Sequence, residues 1–152
     1  MNKTLGYWLE ILATYGLGIA AFAFSILFWE NLKFLDDATF LDKVISISST
    51  LFGFLLAVLA LIIQSNSSTI EGMKQHGSFV RLIRLNKMTV TLAIITSFYS
   101  LILLLGLEII REKSCEVLIF MTSVNLGLFT MVLANTLLFT LVFYRIIMSD
   151  YQ

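Results

Sequence analysis

The sequence predicts an all-α integral membrane protein, a bundle of four transmembrane helices that assembles as a homo-oligomer. Of its 152 residues, 59% are hydrophobic and 13% are charged. The mean hydropathy of +0.93 is far above that of a soluble globular chain. Each of four long apolar stretches reaches the roughly 20 residues that a helix needs to cross a bilayer. Within a single membrane domain, residues 1–152, the stretches are residues 7–29, 44–64, 88–110 and 117–148.

The first stretch is predicted to be a membrane helix rather than a cleaved signal sequence. It is too long for the hydrophobic region of a signal peptide, contains Glu10 and ends in Phe28 and Trp29 instead of small residues. Because Glu10 is an acidic residue within an apolar stretch, it is a candidate for proton-coupled transport, although it lies close enough to the boundary to reach lipid headgroups. Small or polar residues recur along one face at steps of three and four: Glu10, Thr14, Gly18, Ala21 and Ser25.

The second stretch repeats this arrangement, and its small face is the strongest functional signal. The face comprises Ser46, Ser49, Gly53, Ala57, Ala60 and Gln64. The rest of the helix is large and apolar, and is expected to suit lipid: Leu51, Phe52, Leu55, Leu56, Leu59 and Ile63. Helices associate in lipid through close backbone approach and interhelical hydrogen bonds, so the two stripes predict close helix contact. A pore wall in a homo-oligomer, with Phe52 as a nearby gate, is the alternative.

Two connections differ in character. Residues 31–43 are predicted to form a short amphipathic segment at the headgroup level. Residues 65–87 form a basic connection, in which Ser78 caps a short helix before the chain turns into the third stretch. This connection either fixes topology or contacts lipid or a soluble partner, through Lys74, Arg81, Arg84 and Lys87.

The fourth stretch contains two intramembrane polar residues, Asn125 and Asn135. Because they are separated by about 15 Å along the axis and lie on different faces, we expect them to make different contacts, one of them with a neighbouring subunit. The run exceeds one membrane thickness, so the helix must tilt or emerge with Tyr144 and Arg145 at the interface.

The basic residues predict that both termini lie in the cytoplasm. That orientation places six cations inside, which are Lys3, Lys74, Arg81, Arg84, Lys87 and Arg145. It places four basic residues outside, Lys33, Lys43, Arg111 and Lys113. They lie among acidic residues that would raise the local concentration of dissolved cations. Cys115 then lies in an outer connection, where one thiol cannot form an internal disulfide.

No enzyme signature is present, and no catalytic residues, cofactor or metal are predicted. The sequence contains no GxSxG, no phosphate-binding Gly-Lys loop, no HExxH and no CxxC. His76 has no second ligand type at metal spacing, so a metal site is not expected. No nucleic-acid binding is predicted, and the expected partners are membrane lipids, further copies of the chain and a soluble cytoplasmic sensor or effector.

The chain resembles a family of small membrane proteins. The resemblance rests on the serine-rich start of the second stretch at Ser46, the polar stretch leading to Lys74 and Gly77, and the two apolar helices that follow. In these features, over about residues 44–145, it looks like the RexB-like four-helix proteins of the lambdoid phage exclusion system. The first helix is only generally similar, and the outer segment around Asp36 and Asp37 has no counterpart.

This resemblance implies an ion channel of abortive infection that collapses the membrane potential when an intracellular sensor is triggered. Similar small proteins accompany some RNA-targeting CRISPR effectors, so a non-conducting membrane scaffold for a soluble defence partner is an alternative. A four-helix chain with an acidic residue in its first helix also resembles the small multidrug-resistance exporters, which makes a proton-coupled exporter a further alternative. The chain lacks the helix-three motif of those exporters.

Overall fold

The computed structural model describes the backbone of residues 3–64 and 77–149 and the side chains of residues 11–64 and 79–145. Within those ranges the fold is all-helical, which confirms the predicted class. The four α-helices are α1 (Lys3–Leu27), α2 (Ala38–Gln64), α3 (Gly77–Lys113) and α4 (Cys115–Ser149). Three helical segments are long and apolar enough to cross a membrane: Ala38–Gln64, Phe79–Lys113 and Cys115–Arg145. The apolar part of α1 whose side chains are described, Ile11–Leu27, is shorter.

Helix α3 begins much earlier than the sequence predicts. A separate basic helix and a turn were expected before Met88, whereas α3 is continuous from Gly77. No glycine or proline interrupts the chain between Ser78 and Gly106, so nothing breaks the backbone hydrogen-bond ladder. The early turns are also held by packing, since Leu82 and Leu85 are buried. They belong to an apolar cluster with residues of α2 and α4, namely Leu55, Ile62 and Phe139.

The connection between α1 and α2 is more compact than a segment lying free at the membrane surface. It forms two 3₁₀ turns, Trp29–Asn31 and Lys33–Asp36, before α2 begins at Ala38. Leu35 is completely buried, and the second turn packs against α2 and α4. Arg111 of α3 donates a hydrogen bond of 2.9 Å to the Asp36 carbonyl oxygen. The connection is therefore fastened to the bundle.

Helices α3 and α4 form a hairpin with a single residue, Ser114, between them. The Ser114 amide donates to the Ile110 carbonyl, and the Leu118 amide donates to the Ser114 carbonyl. The Ser114 hydroxyl also accepts a weak bond of 3.4 Å from the Val117 amide, which caps the start of α4.

The helices pack in the order α1, α4, α3, α2. Helix α1 lies along α4, and α2 lies along α3, so the two small-residue stripes are not paired with each other within the chain. The order of the helices along the chain does not determine which helices pack together, because each stripe suits any helix with a small or polar face. The two stripes consequently have different surroundings.

Candidate functional site

The small-residue face of α2 is exposed over most of its length. Ser49 is half-buried, and the rest of the stripe is exposed: Ser46, Gly53, Ala57, Ala60 and Gln64. A Cβ atom built on Gly53 would meet no atom within 4 Å. Among the described residues, nothing packs on the centre of this face.

The buried face of α2 lies on the opposite side of the helix. At 100° per residue it is half a turn away from the stripe, and it comprises Leu41, Val44, Ser48, Leu55 and Ile62. The prediction that Leu55 faces lipid is wrong, since Leu55 is 1% exposed and belongs to the cluster with α3 and α4. The sequence pattern separates the two faces of α2 correctly, but the face that packs within the chain is the large apolar one.

A groove runs between α2 and α3 beside the stripe. The Ser49 and Ser97 hydroxyl oxygens are 3.4 Å apart and link the two helices. The groove has a volume of about 360 Å³, and the proposed gate residue, Phe52, is one of its half-buried lining side chains. Its remaining lining is apolar, with Ile45, Ile94, Phe98 and Leu101. Phe52 is thus placed at the edge of the small face.

The stripe on α1 is packed inside the chain. Thr14 is 2% exposed and Ser25 is fully buried. A Cβ atom on Gly18 would lie 2.9 Å from the Gly127 carbonyl oxygen of α4, and one on Gly127 would lie 3.0 Å from the Gly18 carbonyl oxygen. A Cβ atom at 2.9 Å would be closer than real Cβ contacts, and one at 3.0 Å would be unusually tight, so glycine at both positions permits the close approach of α1 and α4.

The two asparagines of α4 are buried and make different contacts, as expected. The Asn125 carboxamide oxygen accepts a hydrogen bond of 2.7 Å from Ser100 of α3. The Asn135 amide donates to the Met131 carbonyl at 3.1 Å. Both side chains are at most 1% exposed, so the expectation that one of them contacts a neighbouring subunit is wrong.

A further interhelical contact was missed by sequence reasoning. The Asn86 amide donates a hydrogen bond of 2.9 Å to the Leu55 carbonyl of α2, and both residues are buried. Asn86 was overlooked because it was assigned to the basic connection. Its position beside Leu82, Leu85 and Thr89 on one helical face is the signal that could have found it.

The basic residues of α3 lie beside a small cavity. Arg81, Arg84 and Lys87 are exposed. The cavity, of about 30 Å³, lies where α1, α3 and α4 meet, and is lined by Ile11, Thr14, Arg81, Arg84, Leu85, Met88 and Asn135. Lys87 does not line it. The side chain of Glu10 and all of Lys74 lie outside the described residues.

At the other end of the bundle most of the charged side chains are acidic. Arg111 lies 3.6 Å from the Asp36 carboxylate and 3.5 Å from that of Glu108. The thiol of Cys115 is exposed nearby. No group of three potential metal ligands is present in the part of the chain that the structure describes.

The arrangement therefore comprises an exposed small-residue face on α2, an α1–α4 contact closed by glycines, and charged residues of different sign at the two ends. Comparisons of the chain with protein-family models, with curated proteins and with solved structures give no match.

Proposed function

We propose that the protein is a homo-oligomeric ion channel of the bacterial inner membrane, with α2 nearest the pore. In this proposal all four helices span the membrane, both termini are cytoplasmic, and channel opening dissipates the membrane potential during antiphage defence. The defence role comes from the resemblance to RexB-like proteins.

The observation that supports a pore is the exposed face of α2. In lipid, a face of hydroxyl, amide and glycine groups gains nothing over a face of leucine, and its polar groups need a partner or water. Ser46 and Gln64 are exposed near opposite ends of this face, and Gly53 lies between them. A ring of subunits that turned this face inward would surround a narrow path lined by small and polar groups, as in other channels.

A second use of the same face also requires another copy of the chain. The spacing of Ser49, Gly53 and Ala57 by four residues matches the small-xxx-small pattern that lets two membrane helices approach closely. In that case α2 would pack on α2 of a neighbour and carry no ions. Ion flux distinguishes the two uses.

The acidic end of the bundle supports a preference for cations. Under the proposed topology the outer connections contain seven acidic residues, which are Glu30, Asp36, Asp37, Asp42, Glu108, Glu112 and Glu116. Only four cations lie among them, and one of these, Arg111, is paired with two carboxylates. Such a surface raises the local concentration of cations at a pore mouth.

The test is ion flux through the purified protein in liposomes, measured with a potassium gradient and a potential-sensitive dye. Gly53→Leu would place a bulky side chain on the proposed pore wall and should abolish dissipation. Gly16→Leu is the matched control, because a Cβ atom on Gly16 also meets nothing within 4 Å but the residue lies on α1. Equal loss in both variants, with both still inserted, would contradict the proposal.

The same assay separates the two remaining functions. Loss of dissipation in Glu10→Gln alone would favour a proton-coupled exporter. An absence of flux from the parent would favour a membrane scaffold for a soluble partner. The exposed residues Arg81 and Arg84 support that scaffold, since they offer such a partner a charged contact. Replacing them should then remove its recruitment to membranes.

A further inference from the structure

We propose that Asp42 is the residue that makes the channel selective for cations, and that it lies in a water-filled recess that enters the bilayer along α2. In the oligomer this recess contains a ring of Asp42 carboxylates, one from each copy, above the small-residue face. The proposal rests on the channel function given above, and it assigns ion selection to one of the seven acidic residues on that side.

The contacts between helices fix the height of Asp42. Its neighbour Leu41 is completely buried in an apolar cluster with residues of α3 and α4, namely Leu103, Leu107 and Leu118. Asp42 therefore lies at about the level of Leu103. The contact between Ser49 and Ser97 gives the same register, because α2 and α3 run antiparallel.

This level is inside the hydrocarbon core on the neighbouring helix. Helix α3 has no charged residue from Met88 to Leu107. At 1.5 Å per residue that segment is about 30 Å long, which is the thickness of the hydrocarbon core. The outer boundary of the core is then at Glu108, and Leu103 lies about 8 Å below it.

At this depth the outer face of α3 is apolar, whereas that of α2 is charged. Ile102 and Leu105 of α3 are 65% and 77% exposed. Asp42 is also exposed, and within the described ranges its carboxylate makes no hydrogen bond or ion pair. A carboxylate at hydrocarbon depth requires water or a partner. Water must therefore reach α2 at a depth where α3 suits lipid.

Asp42 lies on the same side of α2 as the small-residue face. It precedes Ser46 by four residues, and at 100° per residue it is within about 25° of the centre of that face. Lys43 is about 75° away from the centre, and its long side chain can extend upward to the headgroups. The short Asp42 side chain cannot do so. The charge in the recess is consequently negative.

A ring of carboxylates at this position selects ions by their charge. Rings of Asp or Glu side chains are a known basis of cation selectivity in channels, and low-dielectric walls strengthen their field. Asp36 and Glu108, in contrast, lie beside Arg111 at the boundary, where the guanidinium offsets their charge. Asp42 therefore contributes more than they do to the field that an entering ion meets.

The recess is tested by cysteine labelling of the full-length protein in liposomes, in a Cys115→Ser background. Asp42→Cys and Ile102→Cys are at the same height on α2 and α3, and both positions are exposed in the subunit. A membrane-impermeant thiol reagent, present on both sides of the bilayer, should label Asp42→Cys and leave Ile102→Cys unlabelled. Equal labelling of the two variants, or no labelling of Asp42→Cys, would overturn the proposal.

Ion selection is measured as the reversal potential in a planar bilayer under a potassium chloride gradient. Asp42→Asn keeps the shape of the side chain and removes its charge. It should lower the ratio of potassium to chloride permeability about tenfold, the lower end of the concentration effects of charged clefts. Glu112→Gln is the matched control, because it removes one exposed acidic charge at the same end of the bundle. Equal losses in both variants, or an unchanged ratio in Asp42→Asn, would overturn the assignment.

The two measurements distinguish failure of this proposal from failure of the channel function. Labelling requires no ion flow, so a parent protein that is labelled as expected at the recess but does not conduct would contradict the channel and support the recess. A conducting parent whose permeability ratio is unaffected by Asp42→Asn would contradict the role of Asp42 and support the channel.

Discussion

The stripes of α1 and α2 have nearly the same composition and opposite surroundings. On α1, Gly18 meets Gly127 of α4 so closely that Gly18 has no room for a Cβ atom and Gly127 has little. On α2, Gly53 has open space around it. A small-residue stripe therefore shows that a helix is suited to close contact, but not whether the partner lies in the same chain.

The difference also separates two kinds of sequence constraint. At Gly18 the constraint is on the fold of one subunit, because a larger residue would separate α1 from α4. At Gly53 the described residues impose no such steric constraint, so a constraint there would come from contacts outside the described part of the subunit. Substitutions at the two glycines should accordingly have different effects on stability and on flux.

The largest effect on stability is expected from Gly18→Ala. The added methyl group would overlap the Gly127 carbonyl and the Met131 side chain, so α1 and α4 must shift apart. We expect a loss of about 1–3 kcal/mol, typical of overpacked contacts. Thermal unfolding in detergent measures it.

Gly16→Ala is the control for this substitution, since Gly16 is on the same helix and has nothing near its Cβ position. It should be neutral or gain up to about 1 kcal/mol from the better helix propensity of alanine. Equal stability of the two variants would show that the glycine contact between α1 and α4 is not formed.

An intermediate effect is expected where α3 meets α4. Ser100→Ala removes the hydrogen bond to Asn125, and Asn125→Leu removes the other partner. A double-mutant cycle should give a coupling of about 1 kcal/mol, within the range measured for polar pairs between membrane helices. Unfolding of the two single variants and the double variant supplies the cycle. Additive losses would show that the pair is not coupled.

The smallest effect on stability is expected from Gly53→Ala. Since nothing lies within 4 Å of the added methyl group, the unfolding midpoint of the monomer in detergent should stay the same or rise slightly. A loss of about 2 kcal/mol or more would mean that this face is packed within the subunit, and it would remove the contrast with Gly18.

Helix class and approximate number could be predicted from the apolar lengths, and the two faces of α2 from the period of its small residues. The start of α3 could not, because Arg81, Arg84 and Lys87 suggested a connection, whereas the buried side chains of Leu82 and Leu85 show a helix held by its apolar face. Local charge and tertiary packing gave opposite signals there, and packing prevailed.

The pairing of the helices could not be predicted from a single sequence. The stripes on α1 and α2 are equally suited to each other and to α4. The close approach of α1 to α4 uses Gly127, and no local pattern distinguishes this glycine from Gly106 of α3. The cavity at Arg84 likewise requires Thr14, Met88 and Asn135 to meet from three helices.

The single residue Ser114 between α3 and α4 bears on how the protein is made. In the proposed membrane location, so short a link holds the adjoining ends of α3 and α4 together, so the two helices cannot insert far apart. We expect the pair to leave the translocon together as one helical hairpin. Insertion of this helix pair would then be the first step of biogenesis that fixes the orientation of α3 and α4.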